Sequence, residues 1–187
     1  MEASLAPERE ILTWTDFGEA ARELAHQVVG DGFRPDVVLA IARGGLTVAG
    51  ALAYALSVKN CFAMNVEFYT GVDERIDVPV MLPPMLDLVD IAGLRVLVAD
   101  DVADTGKTLE LVHSVIAEHV SEARCAVLYQ KPRSIIDCEY VYRRTDLWIN
   151  FPWSSQPPVW APAEQVDAGE STSMHLHRQP AQVPQPA

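Results

Sequence analysis

The sequence predicts an α/β fold in which a mainly parallel sheet is flanked by helices, and two observations support this. Short, apolar, β-branched runs recur at 36–42, 94–100 and 123–130, which is typical of strands buried on both faces. Between these runs lie 46–56 and 106–119, whose apolar residues favour helices. Strands that alternate with helices in this way favour parallel pairing through crossover connections.

The first helix is predicted over 14–29, with Thr15 or Asp16 as its N-terminal cap. Its apolar residues at spacings of three and four are Phe17, Ala20, Leu24 and Val28. The strand 36–42 follows Pro35 and stops at Arg43-Gly44-Gly45. The next segment, 46–56, is apolar almost all round, and we expect a buried helix packed on a sheet.

The second half of the sheet is predicted from 60 onwards. Residues 60–70 partly alternate and indicate a strand, whereas the Pro-rich 74–93 indicate a loop or a short hairpin. A third strand at 94–100 leads into a second crossover helix at 106–119, and a fourth strand follows at 123–130. The residues of that helix expected to face the sheet are Leu109, Val112, Val115 and Ile116.

Composition predicts one globular domain at 11–153, after an N-terminal tail (1–10) and before a Pro-rich, disordered tail (154–187). The net charge of -12 argues against general nucleic-acid binding. No apolar run reaches the roughly 20 residues of a membrane span, and the acidic start is unlike a signal peptide, so a cytoplasmic protein is expected. Three cysteines without a CxxC spacing favour reduced thiols packed as small hydrophobic groups.

The segment VLVADDVADTGKTLEL (96–111) concentrates the polar chemistry of the chain. Its turn from a buried strand into a helix, Thr105 to Thr108, presents backbone N–H groups at the positive end of the helix dipole, which suits a phosphate. A Walker A loop is excluded, because Asp101 stands where that spacing needs glycine. Asp100 and Asp101 can accept hydrogen bonds from two adjacent hydroxyls, so ribose 5-phosphate is the simplest ligand that fits both halves. The plain alternative is a solvated acidic turn.

The same segment resembles the signature of type I phosphoribosyltransferases that binds phosphoribosyl pyrophosphate (PRPP). The resemblance implies that Asp100, Asp101 and Asp104, with the turn Thr105, Gly106, Lys107 and Thr108, bind PRPP. It also implies a Mg²⁺ ion at Asp100 or Asp101. Asp104 is the candidate catalytic residue, either as a base near purine N7 or as a stabiliser of the oxocarbenium.

A second segment, VVLAIARGGLTVAGALA (37–53), resembles the pyrophosphate loop of that family. The resemblance implies that Ala42, Arg43, Gly44 and Gly45 bind PRPP, with a cis peptide between Ala42 and Arg43. The alternative is a Gly-rich strand-to-helix turn that carries a surface arginine.

The acceptor base is indicated by YQKPRSIIDCEYVYRRTDLWINFPW (129–153), which resembles the bacterial xanthine-guanine and hypoxanthine enzymes. The resemblance implies that Lys131 donates to the purine 6-oxo group, that Trp148 stacks on the ring, and that the backbone at Ile149 reads its edge. The alternatives are a solvated lysine at a strand end and a core aromatic. The segment 69–84 is unlike the flexible loop of the purine enzymes, so no catalytic residue is assigned to it.

Together these resemblances imply transfer of ribose 5-phosphate from PRPP to N9 of a 6-oxopurine, with release of pyrophosphate, in purine salvage. The implied cofactor is Mg²⁺, the implied partners are PRPP and the base without nucleic acid or membrane, and the implied assembly is a homodimer or homotetramer. Two alternatives stay open, namely the same fold acting on another nitrogen base and a regulator that senses PRPP or a nucleotide without turnover.

Overall fold

The structure is a computed structural model that describes residues 8–70, 75–82 and 91–160. Its elements in chain order are β1 (Arg9–Ile11), α1 (Trp14–Gly30), β2 (Val37–Ala42), α2 (Gly44–Ala55), β3 (Cys61–Thr70), β4 (Arg75–Leu82), β5 (Arg95–Ala103), α3 (Lys107–Ala117), β6 (Glu122–Gln130), β7 (Tyr140–Arg144) and β8 (Trp148–Asn150). The predicted α/β fold is confirmed.

Six strands form one sheet in the order β4-β3-β2-β5-β6-β7. All neighbouring pairs are parallel except β3 and β4, which form an antiparallel hairpin at one edge. Its first strand, β3, corresponds to the strand predicted at 60–70, and its second, β4, lies within the Pro-rich segment 74–93 for which a loop or short hairpin is predicted. Residues 71–74 and 83–90 lie outside the described residues.

The core has two layers because alternate residues of a strand point to opposite faces of the sheet. On one face, Val38, Ala40 and Leu97 pack with α1 and α2. On the other, Val37, Leu39 and Val96 pack with α3. Both faces are therefore covered by helices, which explains why the central strands read as continuous apolar runs.

A second, two-stranded parallel sheet pairs β1 with β8. Arg9 lies opposite Trp148, and Glu10 opposite Ile149. The first of these strands begins inside the segment predicted as an N-terminal tail. Residues 1–7 and most of the predicted C-terminal tail, 161–187, lie outside the described residues.

Local predictions differ from the structure at three places. The cap of α1 is Thr13, not Thr15 or Asp16: its hydroxyl accepts from the backbone N–H of Asp16, whose carboxylate accepts from the N–H of Thr13 in return. Cys61 is exposed, whereas the other two cysteines are buried as predicted. Val115 is only half-buried.

In the part of the chain that the structure describes, no helix combines the length and apolar character needed to traverse a bilayer.

Candidate functional site

Three loops meet at one edge of the main sheet. They follow β2, β5 and β6, which are neighbouring parallel strands, so their carboxyl ends lie side by side. Ligands of open α/β sheets bind at this edge. The structure thereby brings together the three segments in which site residues are predicted.

The loop after β2 consists of Ala42 to Gly45, and its Ala42–Arg43 peptide bond is cis, as the resemblance implies. Arg43 is exposed, and α2 begins at Gly44. A Cβ on Gly44 would lie 2.0 Å from Oδ2 of Asp101, and one on Gly45 would lie 2.4 Å from the carbonyl oxygen of Ala99. Both glycines are required because the loop passes directly against β5 and its acidic pair.

The acidic pair Asp100 and Asp101 lies near the end of β5, and both residues are partly buried. Burial raises the pKa of Asp100 well above its usual range, and the neighbouring charge of Asp101 raises it further. Burial also raises the pKa of Asp101, against hydrogen bonds to the Val102 backbone and the Trp153 side chain that lower it. Burial thus makes the negative charge of both carboxylates unfavourable unless a cation or hydroxyl donors bind to them.

The turn after β5 leads into α3 and borders a cavity of about 310 Å³. The cavity is lined by Asp100 and by Val102 to Leu109. Gly106 has φ +78° and precedes α3, which starts without a side-chain cap. The first backbone N–H groups of a helix have no partner within the helix, so they are available to an anion in the cavity.

The loop after β6 begins at Lys131, which is buried at 7% exposure. Its backbone N–H donates to the carbonyl of Ala103 at 3.0 Å, and its Nζ donates to the carbonyl of Leu147. Burial lowers the pKa of Lys131. The interpretation of Lys131 as a solvated lysine at a strand end is therefore wrong.

The same loop contacts the turn after β5. Arg133 donates from Nε and Nη2 to one oxygen, Oδ1, of Asp104. The backbone N–H of Ile135 donates to the carbonyl of Thr105 at 2.9 Å, and a Cβ on Gly106 would lie 2.5 Å from Oγ of Ser134. The loop that starts with Lys131 and the turn that contains Asp104 are consequently fixed to each other.

Trp148 and Ile149 lie in β8, directly after the carbonyl to which Lys131 donates. Trp148 is 58% exposed, so the interpretation as a core aromatic is wrong, and Ile149 is buried at 8% exposure. An exposed indole, one residue after the carbonyl that an ammonium group contacts, is suited to a flat heterocycle that carries an oxygen.

Sequence reasoning missed two contributors to this edge. Arg133 is not among the predicted site residues, although it is the partner of Asp104. The strand β1 pairs with β8, and the backbone N–H of Leu12 donates to the carbonyl of Asn150 at 3.1 Å. A three-residue strand carries too little pattern to be found from sequence.

In the described part of the chain, no three side chains of His, Cys, Asp or Glu gather as a metal-ligand cluster.

The family model for the phosphoribosyl transferase domain matches residues 8–159. The chain is 31% identical over 153 residues to a xanthine-guanine phosphoribosyltransferase of Ruegeria sp., covering 76% of this chain and 83% of that protein. It is also 31% identical over 149 residues to the enzyme of the same description from Cereibacter sphaeroides, covering 76% and 84%.

Among solved structures, a purine phosphoribosyltransferase from Pyrococcus horikoshii superposes with a TM-score of 0.70 at 33% identity. The match covers 82% of this chain and 99% of that one. The xanthine-guanine-hypoxanthine phosphoribosyltransferase of Helicobacter pylori shares the fold, with a TM-score of 0.66 at 22% identity, over 79% of this chain and 94% of that one.

Proposed function

The chain belongs to the phosphoribosyl transferase family, in its purine branch, and from this premise we propose that it transfers the ribose 5-phosphate of PRPP to N9 of a 6-oxopurine and releases pyrophosphate. The acceptor would be hypoxanthine, guanine or xanthine. The observation that carries the proposal is the contact between Gly44 and Asp101, which joins the predicted pyrophosphate loop to the predicted ribose site.

In this proposal the 5-phosphate occupies the cavity beside the turn Thr105 to Thr108. The uncapped start of α3 supplies N–H donors, and the helix dipole favours the phosphate charge. The diol of the ribose faces Asp100 and Asp101. Arg43 and the N–H groups of Gly44 and Gly45 hold the pyrophosphate, whose charge grows as it leaves.

Mg²⁺ fits the acidic pair by the chemistry of its donors, because carboxylate oxygens are preferred ligands and a cation would offset the cost of burying two adjacent charges. Asp100 and Asp101 would hold the ion. When bound, it supplies positive charge against the pyrophosphate.

Asp104 faces the reacting centre in either of two roles, as the base near N7 of the purine or as the carboxylate that stabilises the oxocarbenium. Both N–H groups of Arg133 converge on Oδ1, which leaves Oδ2 without a hydrogen bond to the described residues. That oxygen is the one we assign to the substrate.

Lys131 and Trp148 select the base. The ammonium group of Lys131 has three donors, of which one goes to Leu147, so others remain for the 6-oxo group. The exposed face of Trp148 stacks on the purine ring. A 6-amino purine would place a donor against the ammonium group and is expected to be rejected.

The test is a panel of hypoxanthine, guanine, xanthine, adenine and uracil with PRPP and Mg²⁺, followed by pyrophosphate release and nucleotide formation. We expect turnover with at least one 6-oxopurine and none with adenine or uracil. Lys131→Met should lower kcat/KM for that base by roughly 10- to 150-fold, since a hydrogen bond to a charged donor contributes about 1.5–3 kcal/mol. The KM for PRPP should stay near the wild-type value.

Lys59→Met is the matched control, because it removes an exposed cation that precedes β3, at the edge of the sheet opposite the site. Turnover with a different base that survives Lys131→Met would replace the 6-oxopurine assignment. PRPP binding without product from any base would instead favour a sensing role.

A further inference from the structure

The loop between β6 and β7, residues 131–139, carries two residues of the candidate site. Lys131 starts it, and Arg133 pairs with Asp104. Most of the loop is exposed, at Pro132, Arg133, Ile135, Asp137 and Glu139. An exposed loop buries little apolar surface, so its conformation depends on hydrogen bonds.

Gln130, the last residue of β6, closes this loop with its side chain. Its Nε2 donates to Oδ1 of Asp137 at 2.8 Å, and its Oε1 accepts from the backbone N–H of Cys138 at 3.0 Å. In the described part of the chain, Gln130 and Lys131 are the buried amide and charged side chains, at 8% and 7% exposure. A buried amide without partners is costly, so these two bonds favour one closed arrangement of the loop.

The bond from Gln130 to Asp137 has a charged acceptor. Hydrogen bonds from Gln130 and from Arg144 lower the pKa of Asp137, so this carboxylate is ionised at neutral pH. A hydrogen bond to an ionised acceptor is about twice as strong as a neutral one. Arg144 donates to the same oxygen, but its side chain is 58% exposed and solvent screens its charge. Gln130 therefore provides the buried contact between the two ends of the loop.

The backbone of Gln130 is also linked to the group that accepts from the Lys131 ammonium. Its carbonyl accepts from the N–H of Thr145 at 3.2 Å, and the hydroxyl of Thr145 accepts from the N–H of Leu147 at 3.1 Å. The carbonyl of Leu147 is the one to which Nζ of Lys131 donates. Gln130 is thus connected both to the loop and to the segment that holds the ammonium group.

We propose that Gln130 is a positioning residue for base binding, which closes the loop 131–139 so that Lys131 faces the base and Arg133 faces Asp104. Gln130 acts through the loop and does not contact the substrate. This role rests on the proposed function, in which Lys131 selects the base. Ribose 5-phosphate should depend little on Gln130, because β5 and α3 hold the turn that binds its phosphate.

Gln130→Met keeps the length of the side chain and removes both hydrogen bonds. In calorimetric titrations of IMP, GMP and XMP, we expect the Kd of the tightest nucleotide to rise by roughly 10-fold, the value of one charged hydrogen bond. The Kd of ribose 5-phosphate should change by less than about threefold. A merely structural role would weaken both ligands alike.

A reversed pair provides the rescue. Gln130→Glu places a second carboxylate against Asp137 and should weaken nucleotide binding at least as much as Gln130→Met. Adding Asp137→Asn again sets a donor against an acceptor, in the opposite direction, and the second oxygen of the new carboxylate can accept from Cys138. The Kd of the nucleotide should then return to within about threefold of wild type.

Hydrogen exchange in the ligand-free protein, followed by NMR, tests the loop without a substrate. The N–H of Ile135 donates to the carbonyl of Thr105, and its exchange should accelerate by roughly 10-fold in Gln130→Met, because the loop opens more often. Gln27→Met is the matched control, since it removes an amide hydrogen bond to the carbonyl of Val141 in β7. Exchange at Ile135 and nucleotide affinity should both stay near wild type in this control.

Unchanged exchange at Ile135 in Gln130→Met would overturn the closing of the loop by Gln130. Faster exchange without a selective loss of nucleotide affinity, or a reversed pair that restores nothing, would overturn the positioning role. A wild-type protein that binds ribose 5-phosphate but none of the three nucleotides would refute the proposed function, and the positioning role with it, even where exchange shows that Gln130 closes the loop.

Discussion

The two adjacent glycines of the loop after β2 are expected to respond differently to the same substitution. A methyl group on Gly45 would meet the backbone carbonyl of Ala99 at 2.4 Å, and backbone in the middle of a sheet cannot move away cheaply. We expect Gly45→Ala to lower the free energy of unfolding by about 2 kcal/mol. For a domain of this size that corresponds to a fall in Tm of roughly 4–8 °C.

A methyl group on Gly44 would meet the side chain of Asp101, at 2.0 Å from Oδ2, and a side chain can rotate. Leaving a favoured rotamer costs about 0.5–1.5 kcal/mol, partly offset because alanine favours the helix that begins there. Gly44→Ala should therefore change Tm by less than about 4 °C. Displacing Asp101 from the ribose should lower kcat/KM by roughly 10- to 150-fold, the value of one charged hydrogen bond.

Thermal unfolding and pyrophosphate release, measured on both variants, test this contrast. If Gly44→Ala keeps its kcat/KM within about threefold of wild type, Asp101 does not hold the substrate in the way we propose. If Gly44→Ala destabilises the protein more than Gly45→Ala, the steric reasoning is wrong.

Three further predictions concern other parts of the molecule. Asp36 pairs with Arg95 at the edge of the sheet opposite the site, and hydrogen bonds from Arg95 lower the pKa of Asp36 to about 2. Because this pKa is lower in the folded than in the unfolded protein, the pair stabilises the fold at pH values above the unfolded pKa, and this stabilisation is lost as the pH falls toward 2. Both side chains are more than a third exposed, so solvent screens the pair, and we expect Asp36→Asn to lower the free energy of unfolding by about 1 kcal/mol at pH 7. The loss should shrink progressively below pH 4. Urea unfolding at several pH values measures it, and a loss that does not change with pH would contradict the reasoning. Trp148→Ala should raise the KM for the base by roughly 5- to 150-fold through lost stacking of about 1–3 kcal/mol, and Trp148→Phe by less, with the KM for PRPP as the internal control. GMP or IMP at about 100 times its Kd should raise Tm by roughly 5–10 °C and UMP should not, and removal of the nucleotide by dialysis should restore the original Tm.

The main sheet and its helices could be predicted from the sequence because burial of a strand or helix determines the pattern of apolar residues within that segment. Strands such as β2 and β5 are buried on both faces, so they appear as continuous apolar runs, and each ends where polar residues and glycine begin. The cap of α1 shows the limit of this reasoning. Two threonines lie within one turn of each other, and only the reciprocal bonds with Asp16 make Thr13 the cap.

The small sheet of β1 and β8 was not predicted, because each strand has only three residues and no periodicity of its own. Its existence depends on the fold bringing the start of the described chain against Trp148 and Ile149. The exposure of Trp148 depends on the same arrangement, so the sequence alone could not distinguish an exposed tryptophan from a core aromatic.

The α/β fold can be predicted from the chain alone, because burial of each strand and helix sets the apolar pattern within its own segment. The segments predicted to form the site can be located in the same way, since their acids and glycines directly follow strand ends. The approach of Gly44 to Asp101, the burial of Lys131 beside Leu147 and the pairing of Arg133 with Asp104 arise only in the folded sheet. These contacts join residues on different strands. Their formation depends on the order of strands in the sheet, and that order is set by the packing of the whole chain rather than by any one segment.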